Sequence, residues 1–355
     1  MAKPPQRPQE PAFYYGRAAH LLIATTALVA TAGVAVADVK VSGYARFGAD
    51  YVENRTAATV RTGPGADGLI GTADDLRVVT TAADDEVNTA SRLRLQFDAT
   101  TETDGGLTLG ARMRMQAEEN GGQGNFNTAR FFATTGGLTI AMGNIVGAVE
   151  AAPGLYLPTK SAGMGLEGNG FTSLAANTRS NRTSATATNG FFGWTAYQSA
   201  GAASAADGVE IIYSMNGIGL HLHSTDVSYG VGANYKFADY TAAVAYEEWN
   251  DGGRRGDTIL FASLGGKFGA FDATLSYAET DYRNVKAEKF SLNGGYTVND
   301  ALYVYGFFAD ENNSIDETYG LGASYALGGG ASVEGGWTAL ENGNNQVSAG
   351  IFFSF

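Results

Sequence analysis

From residue 38 to its C-terminus the chain alternates apolar and polar positions with a period of two. In the last stretch Val347, Ala349, Ile351, Phe353 and Phe355 share one parity, and Gln346, Ser348, Gly350 and Ser354 share the other. A period of two marks a strand with two unlike faces. The stretch 39–53 repeats it: Val39, Val41, Ala45, Phe47, Ala49 and Tyr51 against Lys40, Ser42, Tyr44, Arg46 and Asp50. So do 88–101 (Leu93, Leu95 and Phe97 against Arg92, Arg94, Gln96 and Asp98) and 107–118 (Leu109, Ala111, Met113 and Met115 against Arg112, Arg114 and Gln116). Further strands are predicted over 126–134, 138–144, 209–215, 218–225, 229–237, 240–249, 257–268, 271–280, 288–298, 301–310, 318–327, 331–340 and 347–355, about sixteen in all. Alternation is poor in 257–268 and 301–310.

The connections alternate too. Those at 103–106, 136–137, 216–217, 238–239, 269–270, 299–300 and 328–330 are tight, and Asn216-Gly217 is a strong hairpin dipeptide. Most of the others are longer and polar: 54–87, 119–125, 145–207, 250–256, 281–286, 311–317 and 341–345. Short turns at one end and long loops at the other are how outer-membrane barrels are built. Tyr235, Phe237, Tyr240, Phe268, Phe271, Tyr296, Tyr303 and Tyr325 lie beside the tight turns, as rings at a membrane interface do. A bilayer leaves no water for unpaired backbone groups, so a spanning sheet must close. The expected fold is therefore all-β: a transmembrane antiparallel up-and-down barrel whose last strand pairs with its first. In 318–327 the apolar Tyr319, Leu321, Ala323, Tyr325 and Leu327 alternate with Gly320, Gly322 and Ser324. Small inward residues leave room for water in a barrel this wide. A soluble sandwich would need larger branched residues on that second face.

Composition sharpens this reading. The 355 residues include no cysteine, and 17% are charged, below the roughly 25% of soluble domains. Glycine, at 49 residues, is about twice its ordinary share. The net charge of −13 opposes nucleic-acid binding, which needs a basic surface. At the N-terminus Lys3, Arg7 and Arg17 precede an apolar run over 21–37 that ends in Ala35-Val36-Ala37, a small-x-small cleavage site. Residues 1–37 are thus expected to be a cleaved signal peptide and 38–355 the exported barrel. The run is short and rich in Ala and Thr, marginal for a membrane anchor.

Candidate chemistry gathers on the inward parity of the first three strands. Lys40, Arg46, Arg92, Arg94, Arg112 and Arg114 form a basic wall there, with Arg130 beside it. A structureless stretch as long as 145–207 is usually functional. If it folds inward, its Glu150 and Glu167 face the wall and set up a transverse field that favours small polar solutes. The plainer reading satisfies the arginines with Asp50, Asp98 and Glu118 and makes no constriction. His221 and His223 are two apart on the inward parity; without a third ligand they are expected to line the pore rather than bind metal. In the loop 54–87, Asp67, Asp74 and Asp75 sit near glycines and are weak Ca²⁺ candidates, but the spacing is not that of an EF-hand and a solvated acidic loop is preferred. No other cofactor is expected. No Ser–His arrangement, cysteine or phosphate loop is present, so an enzyme is not expected.

The segments Asp38-Val-Lys-Val-Ser-Gly-Tyr-Ala-Arg-Phe-Gly48, Ser91-Arg-Leu-Arg-Leu95, Thr100-Thr-Glu-Thr-Asp104, Gly110-Ala-Arg-Met-Arg-Met115 and Tyr319-Gly-Leu-Gly-Ala-Ser-Tyr325, with the terminal Phe, resemble the alphaproteobacterial general porins of the Rhodobacter type. The resemblance covers nearly all of 38–355. It implies a sixteen-stranded barrel, a homotrimer in the outer membrane amid lipid and lipopolysaccharide, and a third loop folded into the pore. The implied function is passive diffusion of small hydrophilic solutes and ions; the alternative is an adhesive barrel whose loops bind surfaces. In the family an acidic loop faces a basic wall, which falls here on Arg46, Arg92, Arg94, Arg112 and Arg114. It also implies that 145–207 is one loop, where the residues alone leave 183–200 open as a further strand pair. This loop is poorer in carboxylate than the family pattern, and it carries Lys160, Arg179 and Arg182.

Overall fold

The computed structural model describes residues 37–53, 59–63, 76–80, 86–118, 122–156, 207–251, 255–282, 285–312, 317–339 and 344–355. Every regular element among them is a strand. In chain order they are β1 (Asp38–Val52), β2 (Thr59–Gly63), β3 (Leu76–Thr80), β4 (Glu86–Glu102), β5 (Thr108–Glu118), β6 (Gly122–Phe126), β7 (Arg130–Thr135), β8 (Leu138–Gly143), β9 (Gly208–Met215) and β10 (Ile218–Thr225). They continue as β11 (Ser228–Phe237), β12 (Tyr240–Trp249), β13 (Thr258–Phe268), β14 (Phe271–Tyr282), β15 (Val285–Thr297), β16 (Leu302–Glu311), β17 (Thr318–Gly328), β18 (Ala331–Ala339) and β19 (Asn345–Ser354). All but β2 and β3 belong to one antiparallel sheet in which each strand pairs with its neighbours in sequence. β6 and β7 both pair with β5 and are two parts of one stave, so the ring has sixteen staves.

The ring closes between the chain ends. β1 pairs with β4 on one side and with β19 on the other, from Tyr44↔Ser354 to Val52↔Gln346. Gly43 and Phe355 exchange backbone hydrogen bonds of 2.9 and 3.0 Å beyond that ladder. Closure leaves no open edge, as a span through hydrocarbon requires. The faces follow the predicted parity. Along β10, Leu220 and Leu222 are exposed outward, and His221, His223 and Thr225 are buried inward. The same outward belt carries Val41, Phe47, Phe131, Met142, Leu264, Leu275, Leu292 and Leu321, all exposed. Near the tight turns Tyr235, Phe237, Tyr240 and Phe268 form a chain of ring contacts at 5.5–5.7 Å, and Phe271 meets Tyr296 at 4.5 Å. At the Asn216-Gly217 hairpin both residues have positive φ, 52° and 83°, as a two-residue turn between right-twisted strands demands.

Some boundaries differ from the sequence reading. Most of the polar stretch 281–286 is strand: β14 and β15 run on until Tyr282 pairs with Val285. Its residues look loop-like because they are polar on both faces; Lys286 bonds Glu279 at 2.9 Å on the outside of the ladder. The fourth predicted strand is broken at Asn127, whose Oδ1 accepts from the Arg114 amide at 2.7 Å in place of a ladder partner. The first long loop contains the β2–β3 hairpin, outside the barrel sheet. The predicted signal peptide lies outside the described residues up to Val36, and so does the segment 183–200.

Candidate functional site: the lumen wall and the inward loop

The six predicted basic residues do come together on the inner face of β1, β4 and β5. Register stacks them in rungs: Lys40 opposite Asp98 and Asp98 opposite Arg112; Gln96 opposite Arg114; Tyr44 opposite Arg94 and Arg94 opposite Gln116; Arg46 opposite Arg92. Like charges on facing strands repel unless acceptors lie between them. Arg112 is held by Asp98 at 2.5 Å, Arg114 by Gln96 at 2.8 Å and Arg94 by Gln116 at 2.8 Å, each through Nε. The two glutamine acceptors are neutral, so their bonds place the guanidinium groups without cancelling their charge. Arg94 also lies over the Tyr44 ring at 5.4 Å, and Tyr44 stacks on Phe352 at 5.5 Å. Phe352, an aromatic residue on the inward parity of the last strand, therefore braces the arginine ladder from β19.

The described part of the long loop, 144–156, folds inside the ring. It leaves β8 through a tight turn, with the Ile145 amide bonding Gly143 O at 2.8 Å. Its Val149 and Leu155 are fully buried against Ala245 and Trp249 of β12, Ile259 and Phe261 of β13, Ala278 of β14 and Ala287 of β15. In ring order these staves lie across the lumen from β1, β4 and β5. The poor alternation of 257–268 now has a cause. Ile259 and Phe261 point inward because they receive the loop, and burying such side chains contributes about 1.5–3 kcal/mol each. In 301–310 the inward positions are Tyr303, Tyr305 and Phe307; the rings of Tyr303 and Tyr305 stack at 5.6 Å, so both faces are aromatic.

Polar side chains clamp the same segment. Glu210 on β9 is fully buried, and its two oxygens meet five donors. Oε1 takes Nε and Nη2 of Arg130 at 2.8 and 2.6 Å. Oε2 takes the amides of Val146 and Gly147 at 3.0 and 3.1 Å and Nε2 of His221 at 2.9 Å. Nδ1 of His223 accepts the Ala148 amide at 2.9 Å, and its Nε2 stands 3.6 Å from Glu247 of β12. Ser276 donates to Gly154 O at 2.9 Å, and Ser263 donates to Pro153 O. Gly230 makes room for this: a Cβ there would overlap Cε1 of His223.

Two expectations change. His221 and His223 are not pore lining; both are at least nine-tenths buried beneath the loop entry, and no cluster of metal-ligating groups occurs among the described residues. Arg130 sits in the same rung as Arg112 but turns away from the wall, past the small inward residues Gly143 and Ala141 of β8, to Glu210. Of the two predicted loop acids, Glu150 is half-buried on the inward segment and accepts from Tyr156 at 2.7 Å. Glu167 lies outside the described residues, as do Asp67, Asp74 and Asp75. Glu210, the centre of the clamp, was missed by sequence reasoning. Its signal was a lone acid on the inward parity of 209–215, at the strand end that receives the loop.

A closed ring, apolar outside and polar inside, with a segment of its own chain seated across from a basic wall, defines a transmembrane channel of the porin class. The profile of the family described as Gram-negative porin matches residues 24–345, and the chain belongs to that family. It is similar to the porin of Fuscovulum blasticum, 26% identical over 336 residues that cover 90% of this chain and 100% of that one. It is 29% identical to the porin of Rhodobacter capsulatus over 301 residues, 76% of this chain and 95% of that one. Among solved structures, a variant of Rh. blastica porin superimposes with a TM-score of 0.66 at 25% identity, covering 89% of this chain and 100% of the other. The protein is an outer-membrane channel and not an enzyme.

Proposed function

We propose that the channel passes small hydrophilic solutes and ions passively, and that its charge preference is set between the ladder of Lys40, Arg46, Arg92, Arg94, Arg112 and Arg114 and the inward loop carrying Glu150. The observation that carries this is the pairing of Arg112, Arg114 and Arg94 through Nε with Asp98, Gln96 and Gln116, which fixes these three side by side yet leaves the ladder with more positive than negative groups. A fixed charged ring in a narrow aqueous path favours counter-ions. The working unit is read as a homotrimer embedded in outer-membrane lipid and lipopolysaccharide, from the family resemblance and the outward apolar belt. Glu167 is read, from the sequence, as a second acid of the same loop. Residues 1–37 are read as a signal removed on export. The acidic first loop, with Asp67, Asp74 and Asp75, is read as solvated, with Ca²⁺ as its only candidate cofactor.

Planar bilayers in a salt gradient test the charge reading. The purified protein is expected to insert in conducting steps. Replacing Arg92, Arg94, Arg112 and Arg114 together by Ala is expected to move the reversal potential toward cations. An unmoved reversal potential places the selective region elsewhere, and silence where another porin conducts favours an adhesive barrel.

A further inference from the structure

The loop entry is held by one contact that a proton can undo. Nδ1 of His223 accepts the Ala148 amide at 2.9 Å, so that nitrogen carries no hydrogen while the loop is seated. The ring proton of neutral His223 then lies on Nε2, facing Glu247 Oε2 at 3.6 Å. A second proton would go on Nδ1, where it would point at the Ala148 N–H. Two donors would meet in a buried site, and the imidazolium is accommodated only after the amide has left. We propose that His223 is an acid-sensitive latch: protonation releases the 144–156 segment from the β9–β13 wall and narrows the channel. The inference rests on the channel reading above.

The surroundings fix the direction. The charged and titratable groups packed about His223 are His221 on its own strand, Glu210 on β9 with Arg130 of β7 behind it, and Glu247 on β12; β11 contributes only Gly230. Glu210 is already occupied by Arg130, His221 and two loop amides. Glu247 can keep an imidazolium in either state of the loop. The seated state alone pits Nδ1–H against Ala148 N–H, so the released state binds the extra proton more strongly and acid shifts the balance toward it. The barrel wall stands behind the segment, so a released segment can move only into the lumen.

Two measurements test this, hydrogen exchange on the detergent-solubilised protein and single-channel recording after its insertion in planar bilayers, between about pH 7.5 and about pH 3, a range that extends below that in which an exposed histidine changes charge. Hydrogen exchange corrected for intrinsic rate should show protection of 144–156 falling about tenfold in acid, the change expected when a buried amide loses its acceptor. Single channels should spend more time in substates of lower conductance. His223→Gln keeps an acceptor for Ala148 but cannot titrate, and its acid-to-neutral ratio in both measurements should fall to about one. His221→Gln should keep the wild-type ratio. Unchanged protection in wild-type acid samples, or an acid response that survives His223→Gln, overturns the latch. The exchange measurement decides this whether or not the protein conducts, whereas failure of the channel reading is a preparation silent at neutral pH.

Discussion

At the residue scale the molecule turns on one buried carboxylate. Glu210 satisfies Arg130, His221 and two amides of the loop entry from a fully buried position. Desolvating an ion pair is costly, so its contribution to stability is small next to the cost of breaking it. Glu210→Ala would leave Arg130 buried without its partner and two amides without acceptors. The expected loss is about 3–5 kcal/mol in denaturant unfolding. Adding Arg130→Ala should recover part of that loss, because the orphaned charge goes with it. A double-variant loss equal to the sum of the Glu210→Ala and Arg130→Ala losses would show that the pair is not coupled. The arginine ladder obeys a different rule, since most of its members are half-buried and keep water, and its role is charge placement more than stability.

At the element scale the decisive strand is β19. Its alternation makes it a two-faced edge, and its pairing with β1 removes the edge from both. Phe355 adds a reciprocal pair of backbone bonds to Gly43, with its ring against the Gly43 face. Deleting Phe355 should lower the yield of folded protein while the conductance of what does fold stays near wild type; a normal yield would leave closure independent of the last residue. β13 makes a second point about elements. Its lapse from alternation is the imprint of the loop it receives, and the parity rule failed where a second layer of chain lies inside the barrel.

At the scale of the whole molecule, the basic wall and the loop occupy opposed arcs of one ring. That opposition comes from strand order: β1, β4 and β5 begin the circuit and β12 to β15 stand half a turn on. A soluble barrel with this outward belt of exposed Val, Leu, Ile and Phe would aggregate; in lipid the same belt is the solvent contact. The net charge of −13 belongs to the chain as a whole and does not predict the sign of the lumen wall, which is basic. Assembly belongs to this scale as well. Native mass measurement in mild detergent should return three copies; a single copy would restrict the channel to one barrel.

Period-two alternation, turn dipeptides and the tight-turn and loop rhythm were enough to determine a closed barrel of about sixteen strands, its lipid face, its terminal pairing and the inward parity of all six basic residues. These are local properties, and a two-residue period carries them strand by strand. The histidines, Arg130, Glu210 and Phe352 were decided only in three dimensions. Most have a partner distant in sequence: Arg130 and Glu210 are 80 residues apart, and His223 and Ala148 are 75 apart. Parity says which face a side chain takes, but not what else the chain lays against that face. The loop buries what would otherwise line water, and a histidine that reads as pore lining becomes its anchor.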